Sequence, residues 1–346
     1  MGNNWPTHFT EVIDTVHPLT SLHTFGLEAY SDYFTTIDSL DSLLEIASSL
    51  SEKPYLLLGD GSNTIFVDDF EGMIVKNALK GIHISEDDDY FHLNVASGEN
   101  WHDLVCLCTE KGIYGFENLA LIPGTVGASP IQNIGAYGVE IEKFVHSVEF
   151  LDITTQMMGY FNKKECEFAY RDSRFKREPG KRVITSVNFA MPKNNLLVTS
   201  YGPLAELNNP NPRSVFDAVI AARNTKLPDP HVLGNAGSFF KNPTIGRLTF
   251  EELKLRFPEL PHYNAPEGKV KIPAAWLIDQ LGFKGSRVGD IGCHEHQALV
   301  LVNHGGGKAE DLLRLARDIK SHVLATFGIK LENEVRLMGK QGKVDL

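Results

Sequence analysis

Basic residues are in the minority in this chain: 33 Lys and Arg stand against 44 Asp and Glu, giving a formal net charge of −11. Nucleic acids and anionic membranes require a basic surface, so we expect neither as the main partner. No apolar run approaches membrane-spanning length, and the N-terminal "MGNNWPTHFTEV" lacks the basic and apolar parts of a signal peptide. We therefore expect no membrane insertion, while a local basic pocket for a phosphorylated small molecule remains compatible with the composition.

Cysteine is also scarce, with four scattered residues: Cys106, Cys108, Cys166 and Cys293. This usage suits free thiols in a reducing compartment and predicts a cytoplasmic protein. The sequence contains no repeats or low-complexity tracts. A chain of 346 residues is too long for one ordinary core, so we expect two or three domains.

The hydrophobic patterns mix helices and strands without regular βαβ alternation, which predicts an α+β protein. One early helix would bury Leu40, Leu43, Leu44 and Ala47. A late helix would bury a stripe of Leu312, Leu315, Ile319 and Val323, and Gly328 ends it. The Asn- and Pro-rich stretch 208–214 indicates a boundary between domains at 1–207 and 208–346, the first divided near residue 78. Beyond it, Ser214 and Asp217 resemble a capping box that starts a helix through about Asn224.

The first motif that suggests chemistry is "LLLGDGSNTIF". Gly59 and Gly61 suggest a dinucleotide fingerprint, but Thr64 occupies the place of the third glycine and the following "TIFV" predicts a strand instead of a helix. Successive N–H groups of a glycine turn can still bind an anion. Taken alone, an ordinary tight turn is the better interpretation.

The second motif, "LIPGTVGASPIQNIGAYG" at 121–138, contains four glycines together with Gln132 and Asn133. Such a loop lets a flat ligand or a pyrophosphate lie on the backbone, so that crowding Gly127 is expected to block binding. The alternative is a buried crossing loop. Two such loops in one chain favour nucleotide binding.

Three further stretches have a structural and a functional interpretation each. In "YRDSRFK", surface charge competes with an arginine that is held by a neighbouring aspartate and binds a carboxylate. In "GNAGSFFKNP", Ser238 either bonds its own backbone in a turn or serves chemistry in an enclosed site. In "IKLENEVRLMG", the alternation predicts a strand whose inward face is Ile329, Leu331, Val335 and Leu337. Its other face is either solvated or turns Glu334 into a cleft.

The stretch "GCHEHQA" suggests zinc through Cys293, His294 and His296. A second ligand cluster at usable spacing is missing, so we expect no metal.

Taken in order, these stretches and "HTFG", "KLPDP", "AAWLID" and "ENEVR" resemble the UDP-N-acetylenolpyruvoylglucosamine reductase (MurB) family over nearly the whole chain. The resemblance implies an α+β fold: a two-part FAD-binding domain of the vanillyl-alcohol oxidase (PCMH) type, then an α+β substrate domain whose final strand returns Glu334 to the flavin. It also implies reduction of an enolpyruvyl ether on UDP-N-acetylglucosamine to UDP-N-acetylmuramate for peptidoglycan. NADPH is the implied reductant, and FAD is held non-covalently.

Carried over by motif, the resemblance implies Arg171, Ser238 and Glu334 as the catalytic residues. The implied FAD-binding residues are Gly59, Gly61, Ser62, Asn63, Thr64, Pro123, Gly124, Thr125, Gly127, Ala128, Gln132, Asn133, Gly135, Ala136, Tyr137, Gly138 and Arg336. The implied substrate-binding residues are Tyr170, Tyr201, Arg223, Lys226, Asn242, Tyr263, Lys284 and Gln297, with Tyr263 in the flap of the family's longer class. We expect a monomer.

Two alternatives remain open at this point. An oxidase of the same flavin superfamily would react readily with oxygen and often carries covalent flavin, yet neither glycine loop contains a His or Cys as a tether. A nucleotide-sugar-binding protein without catalysis would be colourless when purified.

Overall fold

A computed structural model describes residues 16–50 and 54–346. The N-terminal stretch in which we find no signal peptide lies outside these residues. The described chain forms two compact units. The first is built mainly from Ser31–Asp60 and Glu71–Thr225, and the second from Pro18–Tyr30, Gly61–Phe70 and Lys226–Leu346. These units differ from the continuous ranges 1–207 and 208–346, because 18–30 and 61–70 group with the C-terminal part and 208–225 with the first unit.

The helices and strands follow the predicted mixture. The α-helices are α1 (Leu40–Leu50), α2 (Trp101–Glu110), α3 (Arg174–Arg177), α4 (Pro212–Lys226), α5 (Arg247–Arg256), α6 (Ala274–Gln280) and α7 (Ala309–Phe327). The strands are β1 (His17–Pro18), β2 (Tyr30–Ile37), β3 (Tyr55–Leu58), β4 (Thr64–Phe66), β5 (Phe70–Asn77), β6 (Ile82–Glu86), β7 (Tyr90–Ala96), β8 (Gly135–Ala136), β9 (Val139–Glu140), β10 (Val145–Asp152), β11 (Met157–Asn162), β12 (Arg182–Pro192), β13 (Gly234–Ser238), β14 (Thr244–Ile245), β15 (Tyr263–Asn264), β16 (Val270–Lys271), β17 (Arg287–Val288), β18 (Ile291–Cys293), β19 (Val300–Asn303), β20 (Arg336–Gly339) and β21 (Gly342–Val344). Within the described residues, no helix is both long and apolar enough to cross a bilayer.

The first unit contains an antiparallel sheet with strand order β11-β10-β12-β7-β6 and a second sheet in which β5 lies between β2 and β3. One core of this unit contains the aromatic residues Trp101, Phe116 and Phe144 together with Phe189 of β12. A smaller core lies around α1. The buried face of α1 is Leu43, Ile46, Ala47 and Leu50, so the predicted stripe is wrong at Leu40 and Leu44, which are about half exposed.

The second unit contains the antiparallel sheet β13-β19-β18-β17, the small sheet β14-β16-β15, and β21-β20-β4. Its core includes the predicted stripe of α7, and Gly328 ends that helix at φ 68° as expected. In the C-terminal stretch, Ile329, Leu331, Val335 and Leu337 are buried as predicted. A regular strand begins only at Arg336, where the chain pairs in parallel with β4.

The start of α4 differs from the prediction by one turn. Asn211 and Ser214 exchange hydrogen bonds, each side-chain oxygen accepting the other's backbone N–H at 2.9 Å. Ser214 is therefore the third residue of the helix and not its cap, because Asn211 fulfils that role from just outside. Asp217 instead pairs with Arg213 one turn earlier.

Candidate active site

The glycine turn after β3 leads into strand β4, so the prediction of a strand in place of a helix is confirmed. Gly61 has φ 65°, and a Cβ there would lie 2.0 Å from Leu22 O. A Cβ on Gly59 would lie 2.7 Å from Thr125 Oγ1, in the second glycine-rich loop. Both glycines are thus required by close approach of the protein itself, and Gly59 brings the two predicted loops into contact within the first unit.

The segment Leu119–Gly127 lies along the start of α2 and the residues before it. Trp101 N donates to Gly124 O at 3.0 Å, and Trp101 Nε1 donates to Leu119 O at 2.9 Å. Val126 N donates to Glu99 O, and Gly127 N to Ser97 O, both at 2.8 Å. These bonds fix the backbone of the segment against residues 97–101, of which Ser97 and Trp101 are buried.

Left-handed backbone is concentrated in the predicted site. Of the eight described non-glycine residues with positive φ, four lie in the motifs 121–138 and 170–176: Leu121 at 58°, Asn133 at 45°, Tyr137 at 47° and Arg171 at 53°. Each such residue costs about 1–3 kcal/mol in a sparsely populated region, and such strain gathers at functional sites.

Two buried asparagines fix part of this strained loop. Asn133 Nδ2 donates to Glu140 Oε2 at 3.0 Å and to Ala169 O at 3.1 Å, and its Oδ1 accepts Glu142 N at 3.1 Å. Asn118 Nδ2 donates to Tyr137 O at 2.9 Å. Asn133 is among the residues predicted to bind the cofactor, whereas no sequence pattern indicates Asn118, whose contact joins residues 19 apart in the chain.

Arg171 lies at the tip of a two-residue turn closed by Ala169 and Asp172, whose backbones exchange bonds of 3.0 and 3.1 Å. Arg171 Nη2 donates to Gly135 O at 2.8 Å, and Lys176 Nζ donates to Arg171 O at 2.8 Å. The carboxylate of Asp172 pairs with Arg177 at 2.5 Å. The guanidinium of Arg171 is thereby directed towards the second glycine-rich loop.

Arg223, in the last turn of α4, adds a second guanidinium to this part of the first unit. Burial lowers its pKa; Tyr137 acts in the opposite direction, and nearby Arg171 lowers the pKa further. Its buried Nε has no hydrogen-bond partner among the described residues. The guanidinium groups of Arg171 and Arg223 repel each other, and Arg223 Nε has an unused hydrogen-bond donor. An anionic ligand bound beside them would stabilise both groups.

In the second unit, the structure brings Ser238 and Glu334 together. Glu334 N donates to Phe239 O at 2.8 Å, and Lys241 N donates to Glu332 O at 2.9 Å, so the two stretches run antiparallel. Phe239 and Phe240 are buried, while Ser238 is half-buried. Among the described residues the Ser238 hydroxyl has no hydrogen-bond partner, so it makes no bond to the backbone of its own turn.

Residues of the first glycine motif reach the same place in the second unit. Asn63 Nδ2 donates to Glu334 O at 3.3 Å, and Arg336 N donates to Asn63 O at 3.0 Å. Arg336 Nη2 donates to Thr64 Oγ1 at 2.9 Å, and burial lowers the pKa of this guanidinium. The "GSN" and "ENEVR" motifs are therefore neighbours in space.

The other predicted substrate residues have varied environments. Asn242 Oδ1 accepts Ala274 N at 2.9 Å, Lys284 pairs with Asp279 at 2.6 Å, and Gln297 Oε1 accepts Leu299 N at 3.3 Å. Tyr201 and Tyr263 are 39% and 45% exposed. Lys226 is exposed, and the Tyr170 ring centre lies 5.3 Å from the guanidinium of Arg171. Across residues 16–50 and 54–346, no group of His, Cys, Asp and Glu is arranged to hold a metal.

Comparison with known proteins identifies the family. The model for the C-terminal domain of UDP-N-acetylenolpyruvoylglucosamine reductase matches residues 229–338, and an FAD-binding domain model matches 31–157. The reductase of Pseudoalteromonas atlantica is 50% identical over 94% of this chain and 95% of its own. The chain belongs to the UDP-N-acetylenolpyruvoylglucosamine reductase family. The reductase of Shewanella oneidensis agrees, with 46% identity over 95% of this chain and 98% of its own.

A solved structure supports the fold of this reductase family member. The crystal structure of the reductase from Thermus caldophilus covers 93% of this chain and 98% of its own, with a TM-score of 0.65 and 23% identity. The predicted α+β fold with an FAD-binding domain and a following C-terminal domain is confirmed, as is the family resemblance. The chain is an oxidoreductase that acts on UDP-N-acetylenolpyruvoylglucosamine with FAD as cofactor.

The residues present fit FAD. The loop 121–138 contains no charged side chain, so it carries no carboxylate that would repel the negative charge of a pyrophosphate. It carries the side-chain amide of Gln132, whose N–H and C=O groups are of the kind that hydrogen-bond a pyrophosphate or a flavin.

The role of Gly127 differs from the expectation that its small size admits a ligand. A Cβ at this position would lie 2.5 Å from Ser97 Cβ and 3.0 Å from Ser97 O, so it meets protein. We expect Gly127→Ala to lower the free energy of unfolding of FAD-free protein by about 1–3 kcal/mol in urea, because the site is overpacked. Gly246→Ala, with no atom within 4 Å, is the steric control; because Gly246 is the N-cap of α5, it should cost only the capping loss of about 0.5 kcal/mol. Weaker FAD binding at unchanged stability would instead support the ligand-based expectation.

Proposed function

We propose that Arg171, Ser238 and Glu334 carry the reduction of UDP-N-acetyl-3-O-(1-carboxyvinyl)-glucosamine to UDP-N-acetylmuramate, with NADPH as the hydride source. The observation that carries the proposal is the Ser238 hydroxyl: it has no partner among the described residues, and the next residue along the chain, Phe239, accepts the backbone N–H of Glu334 at 2.8 Å. FAD, when bound, supplies the relay that accepts hydride from NADPH and delivers it to the terminal carbon of the enolpyruvyl group.

The residue types suit the charge that develops on the substrate. Hydride addition at the terminal carbon leaves negative charge delocalised into the adjacent carboxylate. Arg171 stabilises that charge with a planar fork, and Glu334 assists at the carboxylate either as the protonated acid or through a shared hydrogen-bond network. Ser238 then donates its proton to the carbon that bears the ether oxygen. A hydroxyl is a weak acid, but an enolate is strongly basic, so the transfer is favourable where water is excluded.

The remaining site residues take binding roles in this proposal. The residues of 59–64 and 121–138 named by the family motifs, together with Arg336, hold FAD without a covalent bond. Arg223 and Lys226 bind the substrate diphosphate, and Tyr263 belongs to a flap over the substrate. The protein acts as a cytoplasmic monomer, in keeping with its free cysteines.

The test is NADPH oxidation by purified protein with and without the enolpyruvyl substrate. We expect yellow protein whose NADPH consumption depends on the substrate, with one UDP-N-acetylmuramate formed per NADPH. Substrate-independent consumption of oxygen would favour an oxidase. Colourless protein that binds the UDP-sugar without turnover would favour a binding protein.

Charge removal at the diphosphate site should affect binding more than chemistry. We expect Arg223→Met and Lys226→Met to raise KM for the UDP-sugar about tenfold or more with a smaller change in kcat, since the phosphates do not change during the reaction. Arg213→Met, on the exposed face of the same helix and paired with Asp217, is the control. Unchanged KM in both test variants would place the diphosphate elsewhere.

A further inference from the structure

His102 is a polar residue of the first unit to which neither the family motifs nor the proposed function gives a role. It lies in the first turn of α2, and its Nδ1 accepts the backbone N–H of Leu121 at 3.0 Å. Its ring stacks on Phe216 of α4, with centroids 6.1 Å apart and planes 14° apart. Its Nε2 lies 3.7 Å from Cys106 Sγ. The ring is thus held on three sides with one lone pair directed at a backbone amide.

The amide that His102 binds belongs to a strained residue. Leu121 is the first residue of the loop 121–138 and has φ 58°, a conformation that leucine rarely adopts. The bonds of Trp101 to Leu119 O and Gly124 O hold the chain on either side of it. The imidazole contact therefore acts at the residue where the chain turns into the loop.

We infer that His102 is a positioning residue: its neutral imidazole holds Leu121 in the left-handed conformation and thereby sets the path of the loop 121–138 for FAD. The inference rests on the proposed use of this loop for the cofactor. His102 acts on FAD only through the loop, so its loss should weaken cofactor retention while leaving the reacting groups in place.

The contact requires the neutral ring, because a protonated Nδ1 would be a donor facing a donor. Asp103 and Cys106 face His102 from α2 and Arg223 faces it from α4, while 119–128 contains no titratable side chain. Burial lowers the pKa of His102 below its ordinary 6.5, Asp103 raises it, and Arg223 lowers it. A lowered folded-state pKa means that the contact is complete above pH 6.5 and is lost as the pH falls through that lower value. FAD retention should therefore decline on acidification.

The test combines two measurements on the whole protein: amide exchange at Leu121, and FAD dissociation followed by flavin fluorescence between pH 5 and 8. His102→Leu keeps the packing on Phe216 but has no acceptor. We expect Leu121 exchange to rise about tenfold and the Kd for FAD to rise about tenfold at pH 7.5, the size expected for one lost hydrogen bond. His102→Asn places an oxygen near Nδ1, so it should retain FAD at pH 7.5 and keep it at the acidic pH where wild type releases it. Cys106→Ala is the control and should behave as wild type.

The outcomes test the loop contact, its link to FAD and the role of the neutral ring separately. Unchanged Leu121 exchange in His102→Leu would overturn the positioning role, whether or not FAD binds this loop. Faster exchange with unchanged FAD affinity would overturn the link to the cofactor. Acid release of FAD from His102→Asn at the wild-type pH would overturn the role of the neutral ring. If wild type binds no FAD, the proposed function fails, and with it the link to the cofactor, while the exchange measurement still decides the contact.

Discussion

Ser238→Ala is expected to leave the bleaching of flavin absorbance by NADPH near the wild-type rate and to slow its return on adding the enolpyruvyl substrate by roughly 10²- to 10⁴-fold. The first half-reaction needs no proton donor at the substrate carbon, whereas the second leaves an enolate that has no acid to quench it. Stopped-flow absorbance measures both rates in one sample. The two rates should therefore differ strongly in their response to the substitution, because no described residue binds the Ser238 hydroxyl and could donate the proton in its place.

The matched variant is Ser238→Cys, which keeps a proton at the same place and should recover part of the loss. Ser238 ends β13, where the register against β19 shifts between Asn235 and Ser238. Cysteine has nearly the same shape, so it tests the proton without changing this backbone. Normal return of flavin absorbance in Ser238→Ala would show that the serine is only a turn residue.

Local sequence patterns predicted those elements that need little tertiary information. The stripe of α7 and its glycine stop follow from helical periodicity and from the left-handed conformation at Gly328. The predicted face of α1 is wrong in part because Leu40, Leu43 and Leu44 offer overlapping faces, and packing in its small core selects the one through Leu43 and Ala47. The C-terminal stretch alternates in burial from Ile329, yet pairing with β4 begins only at Arg336, and a pattern of burial cannot locate a partner strand.

The motifs name the proposed reacting groups of the site, but not the residues that support them. Ser238 and Glu334 were named from the family motifs, and backbone pairing brings their stretches together. Asn118 and His102 were missed, because each binds a backbone group 19 residues away and has no local signature. The glycines were interpreted as room for a ligand, whereas Gly59, Gly61 and Gly127 face protein atoms. Small size in a sequence does not reveal which neighbour requires it.

Replacing Arg171 by methionine is expected to slow the return of flavin absorbance with substrate by about 100-fold or more, because one charge-stabilising donor is typically worth 10²–10³ in rate. Arg171→Lys should recover little of this loss. Its single ammonium cannot donate both to Gly135 O, where Nη2 now binds at 2.8 Å, and in a fork to a substrate carboxylate. NADPH-dependent bleaching should remain near wild type in both variants, since the carboxylate is absent from that step.

The control for Arg171→Met is Arg174→Met, which removes one positive charge from the neighbouring helix α3. Arg174 lies 4.3 Å from the ring centre of Phe161 and pairs with Glu178, and it makes no contact with Gly135. Arg174→Met should therefore leave both half-reactions nearly unchanged, while the loss of its contacts with Phe161 and Glu178 lowers the stability of the protein. Equal losses in Arg174→Met and Arg171→Met would mean that net charge matters and that the strained turn, with φ 53° at Arg171, aims no particular group. A loss confined to Arg171 would tie that strain to the stabilisation of the substrate carboxylate, because the left-handed turn is what directs this guanidinium to the glycine-rich loop.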